Sequence, residues 1–147
     1  MFVPDGFEPP RGLEASDFRL EPLGLDHNER DHEAWSSSIE HIRASPGYPD
    51  GNWPRPLSPE ENLADLERHA SDFAARTGFT YAVLDAGDDV VGCVYVYPAR
   101  DDVHDASVQS WVRASRAELD PVVRAAVAEW LASSWPFRRP LYEPLLD

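Results

Sequence analysis

The chain has 147 residues, of which 42% are hydrophobic and 11% aromatic, so it can bury the core of one globular domain and is not a disordered tail. Its formal net charge of −14 disfavours nucleic acid as a partner, because phosphate contacts need clustered Lys and Arg, and its single cysteine, Cys93, excludes an internal disulfide and a multi-cysteine metal site. No apolar run reaches the roughly 20 residues that cross a bilayer, and residues 1–12 lack the basic and apolar segments of a signal peptide, so we expect a cytoplasmic protein with no membrane partner.

The N-terminal segment has the composition of an extended arm. Residues 1–17 are rich in Pro, Gly and acidic side chains, so we expect an arm that lies on the body of the protein or hangs loose. One domain is expected to occupy residues 18–147. It opens at residues 18–23, where Phe and Leu alternate with Arg, Glu and Pro, the pattern of a half-buried strand.

A helix, a loop and a second helix are predicted next. Residues 26–45 are helical in outline. Residues 46–57 hold four Pro and two Gly in twelve positions, which no regular element tolerates. Trp53 in this loop is a candidate wall of a substrate cleft, although aromatic residues in such loops more often anchor the loop to the core.

The second helix has the clearest signature in the chain. Ser58 can cap it, Pro59 fits its first position, and Glu61 completes a capping box. One face carries an apolar stripe formed by Leu63, Leu66, Ala70, Phe73 and Ala74. We expect Gly78 to end this helix in the left-handed conformation.

The pattern then changes from helix to strand. Residues 79–85 and 90–98 predict two strands joined in a hairpin by a short turn. The second strand places Val91, Cys93, Tyr95 and Tyr97 on one side and Val90, Val94 and Val96 on the other. Both sides are apolar, which indicates a central strand covered on both faces.

The rest of the chain predicts a strand, a helix and a last short strand. Residues 106–113 form the strand, and residues 121–135 form the helix. The apolar face of that helix holds Val123, Val127, Trp130 and Leu131, with Ser134 beside them. Residues 138–146 are expected to contain the last strand.

This order of elements resembles the GNAT superfamily of N-acetyltransferases over roughly residues 18–145. "TYAVLDAGDDVVGCVYVYP" is similar to the central hairpin of that family, and "SVQSWVR" is similar to the strand that follows it. "RASRAELDPVVRAAVAEWL" lies where the family places its acetyl-CoA loop and helix. The resemblance implies one domain of the α/β (α+β) class, with a central mixed, mostly antiparallel sheet flanked by helices.

The resemblance also implies a cofactor, acetyl-CoA, and an amine acceptor on a small molecule or peptide. In the family, backbone amides of the loop Q/R-x-x-G-x-G/A hold the CoA pyrophosphate at a helix N-terminus, where orphan amides and the helix dipole attract anions. On this resemblance the cofactor contacts are Val112, Arg113, Arg116 and Ala117. The two arginines flank the turn and could supply positive charge to a phosphate.

The turn departs from the family pattern, because it contains no glycine. Leu119 adds a side chain where the family has glycine, and Pro121 removes an amide donor. Asp120 before this proline can cap the helix and occupy the place of the phosphate, and Ser115 with Glu118 offers an alternative capping box. The chain also ends before the helix and two strands with which family members usually continue. We therefore expect acetyl-CoA binding to be impaired or lost.

The acceptor would lie near the strand that follows the hairpin. His104, whose side chain suits a base near neutral pH, and Gln109 are the candidate catalytic residues, although an exposed His in a polar turn is the commoner case. The candidate substrate-binding residues are Trp53, Tyr95, Ser107 and Trp111, of which the strand aromatics are more often core.

Other arrangements favour structural roles. His27 and His32 are five positions apart and do not share a helix face, so no metal site is expected. We interpret Cys93 as a small apolar core residue. We interpret Tyr142 as an aromatic residue that packs on a strand.

Two hypotheses from different classes remain. The first is an acetyl-CoA-dependent N-acetyltransferase, and the alternative is a catalytically silent GNAT-like fold that serves as a binding or interaction module. An open sheet edge predicts a homodimer under either hypothesis.

Overall fold

The computed structural model describes residues 1–44 and 54–142. Within them lies one six-stranded sheet whose strand order follows the chain. The strands are β1 Leu13–Glu14, β2 Arg19–Pro22, β3 Phe79–Leu84, β4 Val90–Tyr97, β5 Ala106–Val112 and β6 Pro140–Tyr142. Neighbouring strands are antiparallel except for β5 and β6, which are parallel. The predicted mixed, mostly antiparallel sheet is confirmed.

Helices cover both faces of the sheet. The described helices are α1 Asn28–Ser36, α2 Ile39–Arg43, α3 Pro59–Ala75 and α4 Leu119–Ser134. One core packs α4 against the sheet, and a second core packs α1, α2 and α3 against the opposite face. The predicted flanking arrangement is therefore confirmed.

The single helix predicted over residues 26–45 is wrong, because the chain forms two helices with a break at Ser37 and Ser38. The Ser37 hydroxyl donates to the Ala34 carbonyl at 3.1 Å, and Ser38 has a non-helical φ of −135°. Serine hydroxyls compete with the helical backbone in this way. The Ser38 hydroxyl accepts a hydrogen bond from the Ala114 amide at 2.9 Å, so the break also anchors the segment after β5.

The predicted start of α3 is confirmed, but its predicted end is wrong. The Ser58 hydroxyl accepts from the Glu61 amide at 3.1 Å, and the Glu61 carboxylate accepts from the Ser58 amide at 2.9 Å. At the other end, Arg76 takes the left-handed conformation with φ of 64°. Gly78 is needed for space instead, since a Cβ there would lie 2.1 Å from the ring of Tyr97.

A bulge in β4 exchanges the faces predicted for two valines. Val83 pairs with Gly92 and Leu84 with Val90, so Val91 is an extra residue in the ladder. Val90 consequently packs in the core of α1–α3, and Val91 packs in the core of α4. A bulge of this kind reverses strict alternation on one side of it.

Residues 1–17 run along the domain and contribute the first strand. Val3 is buried in the core that faces α4, and Leu13 pairs with Leu20 across β1 and β2. The Tyr81 hydroxyl donates to the Pro10 carbonyl at 2.6 Å. The Arg76 guanidinium adds a hydrogen bond of 2.7 Å to the carbonyl of Phe7. These contacts tie the segment to the sheet.

Candidate functional site

The segment between β5 and α4 is a tight 3₁₀ turn. Ala114–Arg116 forms this turn, and α4 begins at Leu119 with Glu118 as its N-cap residue. Neither predicted side-chain cap is seen among the described residues. Asp120 instead accepts a hydrogen bond from Arg124 Nε at 2.9 Å, so its carboxylate does not occupy the place of a phosphate.

The turn uses its own amides. The amide of Arg116 donates to the Arg113 carbonyl at 3.0 Å, that of Ala117 to the Ala114 carbonyl at 3.3 Å, and that of Asp120 to the Ala117 carbonyl at 3.1 Å. Pro121 has no amide proton. A 3₁₀ turn directs its N–H groups into i→i+3 bonds, which leaves few of them for an anion.

The two arginines of the turn are paired with carboxylates. Arg113 binds Glu33 with two guanidinium nitrogens, one of them at 2.6 Å. Arg116 binds Asp85 at 2.9 Å and Glu118 at 3.0 Å. These bonds raise the pKa of both arginines and lower the pKa of Glu33 and Glu118. The positive charge that the sequence offered to a phosphate is therefore already balanced.

A pocket of about 530 Å³ opens beside this turn. Its described lining comprises Glu29, Arg30, Glu33, Asp85, Asp89, Val90, Val91, Arg113, Ser115 and Arg116. Carboxylates outnumber guanidinium groups in that set, four to three. Such a balance does not attract a polyanion.

The remaining candidate cofactor residues are structural in their described contacts. The Arg113 amide donates to the Val91 carbonyl at 2.8 Å. Val112 is 1% exposed and belongs to the core under α4. Val112 pairs with Gly92 across β5 and β4. A Cβ at Gly92 would lie 2.1 Å from the carbonyl oxygen of Trp111. The end of β5 is thus closely packed against β4.

Buried polar side chains also fill the space between β5, β6 and α4. The hydroxyls of Ser110 and Tyr142 are 2.5 Å apart. Arg124 is 2% exposed and lies with its guanidinium carbon 5.5 Å from the centre of the Tyr142 ring. Burial raises the pKa of Tyr142 to about 12, so its phenol stays protonated. The structure therefore places Tyr142 in the interior, as the sequence suggested.

Four of the predicted acceptor-side residues do lie on one face of the sheet, on the side of α1 and α3. The ladder of β4 and β5 pairs Tyr95 with Gln109, Tyr97 with Ser107, and Cys93 with Trp111. Trp111 is buried and donates to the Tyr95 hydroxyl at 2.9 Å, whereas Gln109 is exposed. Trp53 lies outside the described residues.

His104 sits apart from that face, in the polar turn before β5. Its ring Nδ1 is 2.8 Å from the Asp101 carboxylate, and its amide donates to the same carboxylate at 2.7 Å. The backbone and ring donors of His104 lower the pKa of Asp101 to about 2. These bonds shape the turn, and the described contacts of His104 are of the structural kind.

A polar and aromatic cluster that the sequence did not indicate lies next to Tyr95. We call it the His69 cluster: His69 and Asp72 from α3, Thr80 from β3, and Tyr95 and Tyr97 from β4. His69 Nδ1 lies 2.9 Å from the Tyr97 hydroxyl and 3.1 Å from the Thr80 hydroxyl. The Tyr97 hydroxyl donates to the Asp72 carboxylate at 2.9 Å. The cluster links helix α3 to the two central strands.

The contacts of Nδ1 are compatible with both tautomers of the imidazole. The Tyr97 phenol donates its one proton to Asp72, so its oxygen can accept from an Nδ1–H of His69. The Thr80 hydroxyl, 3.1 Å from the same nitrogen, can instead donate to it, with the ring proton then on Nε2.

Burial sets the ionisation of the cluster. Desolvation, aided by the nearby Arg68 charge, lowers the pKa of His69 from 6.5 to about 4. Desolvation also raises the pKa of Tyr97 to about 12, and the Asp72 carboxylate adds to this effect. At neutral pH the imidazole of His69 and the phenol of Tyr97 are therefore both neutral.

A second buried polar group joins α1, α3 and β4. Asp31 is 4% exposed and accepts from the Asn62 amide at 3.0 Å and from the Cys93 thiol at 3.4 Å. Burial raises the pKa of Asp31 and of Cys93. The thiol therefore stays protonated, and the group has a packing role, as the sequence suggested for Cys93.

The described residues hold no cluster of three or more potential metal ligands. Across residues 1–44 and 54–142, none of the helices has both the length and the apolar character needed to span a bilayer.

Comparison with known proteins gives no match in sequence. No protein-family profile and no curated protein matches the chain.

Solved structures of acetyltransferases do match the fold. RimL, a ribosomal L7/L12 α-N-protein acetyltransferase, aligns with a TM-score of 0.68 at 14% identity, covering 95% of this chain and 75% of RimL. The ribosomal-protein-S5-alanine acetyltransferase of Vibrio fischeri gives 0.67 at 13% identity, with 89% and 72% covered. The microcin C7 self-immunity acetyltransferase MccE, solved with acetyl-CoA and AMP, gives 0.61 at 14% identity, with 84% and 66% covered. The chain has the GNAT acetyltransferase fold, and at these identities the likeness concerns the fold alone.

The turn residues do not fit a CoA diphosphate in the manner that the family resemblance implied. The fold places the segment 114–121 correctly, between a central strand and the helix that follows it. However, amides of this segment donate hydrogen bonds to nearby backbone carbonyls. Arg113 forms an ion pair with Glu33, and Arg116 forms ion pairs with Asp85 and Glu118.

Proposed function

We propose that the chain is a binding module built on the acetyltransferase fold, which recognises an amine on a small molecule or peptide without transferring acetyl groups from acetyl-CoA. The observation that carries this proposal is the closed 3₁₀ turn at Ala114–Arg116. In this fold the turn is the natural place for a diphosphate, because a strand ends there and a helix begins. In this chain the backbone amides of the turn donate to backbone carbonyls, and Arg113 and Arg116 pair with carboxylates of the protein.

The energetic argument concerns what a diphosphate would displace. It would have to break the i→i+3 bonds of the turn, each contributing about 0.5–1.5 kcal/mol. It would also have to separate Arg113 and Arg116 from their carboxylates, and those carboxylates would then repel it. Pro121 and the side chain of Leu119 offer no compensating donor. Two features of the turn therefore oppose a diphosphate: its amides and arginines already have partners, and the carboxylates of Glu33, Asp85 and Glu118 would repel the ligand.

Calorimetric titration with acetyl-CoA and with free CoA, at moderate salt, tests the proposal. We expect no heat of binding up to millimolar ligand for a chain whose folded state is verified by near-UV circular dichroism. Micromolar binding that weakens in Arg116→Ala would show that the turn does hold pyrophosphate, and would overturn the proposal.

The second candidate is an acetyl-CoA-dependent N-acetyltransferase that modifies an amine. It is favoured by the extent of the likeness, since the three neighbours named above cover between 84% and 95% of this chain. Under this candidate Val112, Arg113, Arg116 and Ala117 remain the proposed cofactor contacts, with His104 or Gln109 near the acceptor. Release of CoA thiol in the presence of a panel of amines would distinguish it from the binding module.

Homodimerisation through an open sheet edge stays a prediction under either candidate. In the described part of the chain, β1 and β6 are the outermost strands, and a second copy could pair with one of them. Light scattering that finds only monomer at high concentration would count against it. The cytoplasmic location also stays a prediction.

A further inference from the structure

The closed turn at Ala114–Arg116 is fastened by carboxylates from parts of the chain that are distant in sequence. Glu33 of α1 holds Arg113 through both carboxylate oxygens, at 2.5 and 2.6 Å. Asp85, which follows β3, holds Arg116 at 2.9 Å. A carboxylate that accepts from two nitrogens of one guanidinium group binds it with the geometry that phosphate also uses. The two arginines are therefore bound to anions that belong to the protein.

The carboxylate of Asp85 is held in position by the hairpin turn between β3 and β4. One of its oxygens accepts from the amides of Gly87 and Asp89, at 2.9 and 3.1 Å, while the other accepts from Arg116. The Asp85 side chain is 18% exposed, and an ion pair that is partly shielded from water is screened less than one at the open surface. The hairpin thus presents a pre-oriented carboxylate to the pocket beside the turn.

The position of Arg113 depends mainly on Glu33. Its bond to the Ser37 hydroxyl is long, at 3.4 Å. Nε of Arg113 is buried and, within the described part of the chain, has no hydrogen-bond partner. A buried donor without an acceptor is unfavourable, so the guanidinium group would lose no bond at Nε if it moved. The ion pair with Glu33 is consequently what keeps this arginine turned towards α1.

We propose that Glu33 and Asp85 are an autoinhibitory pair that takes the place of a bound diphosphate and keeps the pocket beside the turn closed to anions. The inference rests on the proposed function and adds a cause to it, namely two carboxylates from outside the turn. The charges of the pocket support this role. Its described lining has four carboxylates and three guanidinium groups, and without Glu33 and Asp85 it would have two carboxylates against three guanidinium groups. Loss of the pair should therefore expose a latent oxyanion site.

The test is a calorimetric titration of the full chain with inorganic pyrophosphate at constant ionic strength, in the wild type and in the test variant Glu33→Gln/Asp85→Asn. The amide oxygen introduced by Asp85→Asn can still accept from the hairpin amides, so the hairpin is preserved. We expect no saturable binding by the wild type up to millimolar pyrophosphate. The variant should gain at least about tenfold in affinity, because a neutral amide competes for guanidinium donors less well than a charged phosphate does.

Glu29→Gln/Asp89→Asn is the matched control. It removes the same number of negative charges from the lining of the same pocket. Both residues are exposed, and neither contributes to the described ion pairs of the two turn arginines. The control should bind pyrophosphate no better than the wild type. Adding Arg116→Ala to the test variant should abolish its gain in affinity.

Two outcomes would overturn the inference. One is a test variant that keeps the near-UV circular dichroism of the wild type and binds pyrophosphate no more tightly, which would mean that the backbone alone closes the turn. The other is an equal gain in the matched control, which would mean that only the net charge of the pocket matters. If the double variant did not fold, Glu33→Gln and Asp85→Asn would be measured singly, and each should show part of the gain.

The result can be separated from the fate of the proposed function. A folded test variant that shows no gain would remove the autoinhibitory pair and leave the binding module standing. Binding of acetyl-CoA by the wild type in the separate calorimetry would overturn the proposed function. The ratio of the pyrophosphate affinities of the test variant and the wild type would still measure what Glu33 and Asp85 contribute.

Discussion

The imidazole of His69 is held neutral by its surroundings, and this has a consequence for stability. In the unfolded chain a histidine takes up a proton near pH 6.5, whereas in the fold the pKa is about 4. Between these values the unfolded state binds more protons than the folded state. The free energy of unfolding therefore falls as the pH drops from 6.5 to about 4.

We expect His69→Gln to remove this part of the pH dependence. The wild-type chain should lose up to about 3 kcal/mol more than the variant between pH 7 and pH 4, since each pKa unit corresponds to about 1.4 kcal/mol. Urea unfolding followed by tryptophan fluorescence at several pH values measures both curves. Parallel curves for the two proteins would show that His69 is not desolvated.

Residue-scale prediction worked within a strand and failed between elements. Alternation along β4 correctly placed Cys93 and Tyr95 on one side and Val94 and Val96 on the other, because a strand has a period of two. His69 was missed, since its partners come from strands that are distant in sequence. The available signal was a histidine three positions after Leu66, on the face of α3 that turns towards the sheet.

At the scale of elements, the start of α3 shows what local chemistry can fix. The capping box of Ser58 and Glu61 involves only neighbouring residues, so sequence was sufficient to predict it. We expect Ser58→Ala to lower the free energy of unfolding by about 1 kcal/mol, because two amides lose their partner or their orientation.

Ser71→Ala is the matched control, since Ser71 is an exposed residue inside the same helix. It should be neutral or slightly stabilising, because alanine has the higher helix propensity. Thermal unfolding by circular dichroism compares the two variants directly. An equal loss in both would show that the cap contributes nothing beyond the substitution itself.

Elements whose limits depend on distant atoms were not predictable. The break between α1 and α2 is stabilised by the amide of Ala114, far along the chain. The bulge at Val91 appears only when β3 and β4 pair. The turn before α4 was read as a side-chain cap, whereas its bonds run within the backbone and to Glu33 and Asp85. Local propensity carries no information about such partners.

At the scale of the whole molecule, the N-terminal arm belongs to the core. The ring of Phe2 stacks with Phe79 and Phe137, at centre distances of 6.0 and 5.2 Å. The ring of Phe7 lies 5.4 Å from that of Trp135, and the two ring planes are tilted by 44°. The composition of residues 1–17 suggested an arm but left its packing open, because two Phe in a Pro-rich segment do not reveal their partners.

We therefore expect Phe2→Ala/Phe7→Ala to destabilise the whole domain. Both rings are half-buried, so together they should cost about 2–4 kcal/mol, below the value for two fully buried Phe residues. The near-UV circular dichroism of Trp135 should change as well. The control is Asp5→Asn/Glu8→Gln, which alters two exposed residues of the same arm and should change unfolding by less than about 0.5 kcal/mol. If the Phe variant unfolded like the control, the arm would be an appendage and the sheet would be stable from β2 onwards.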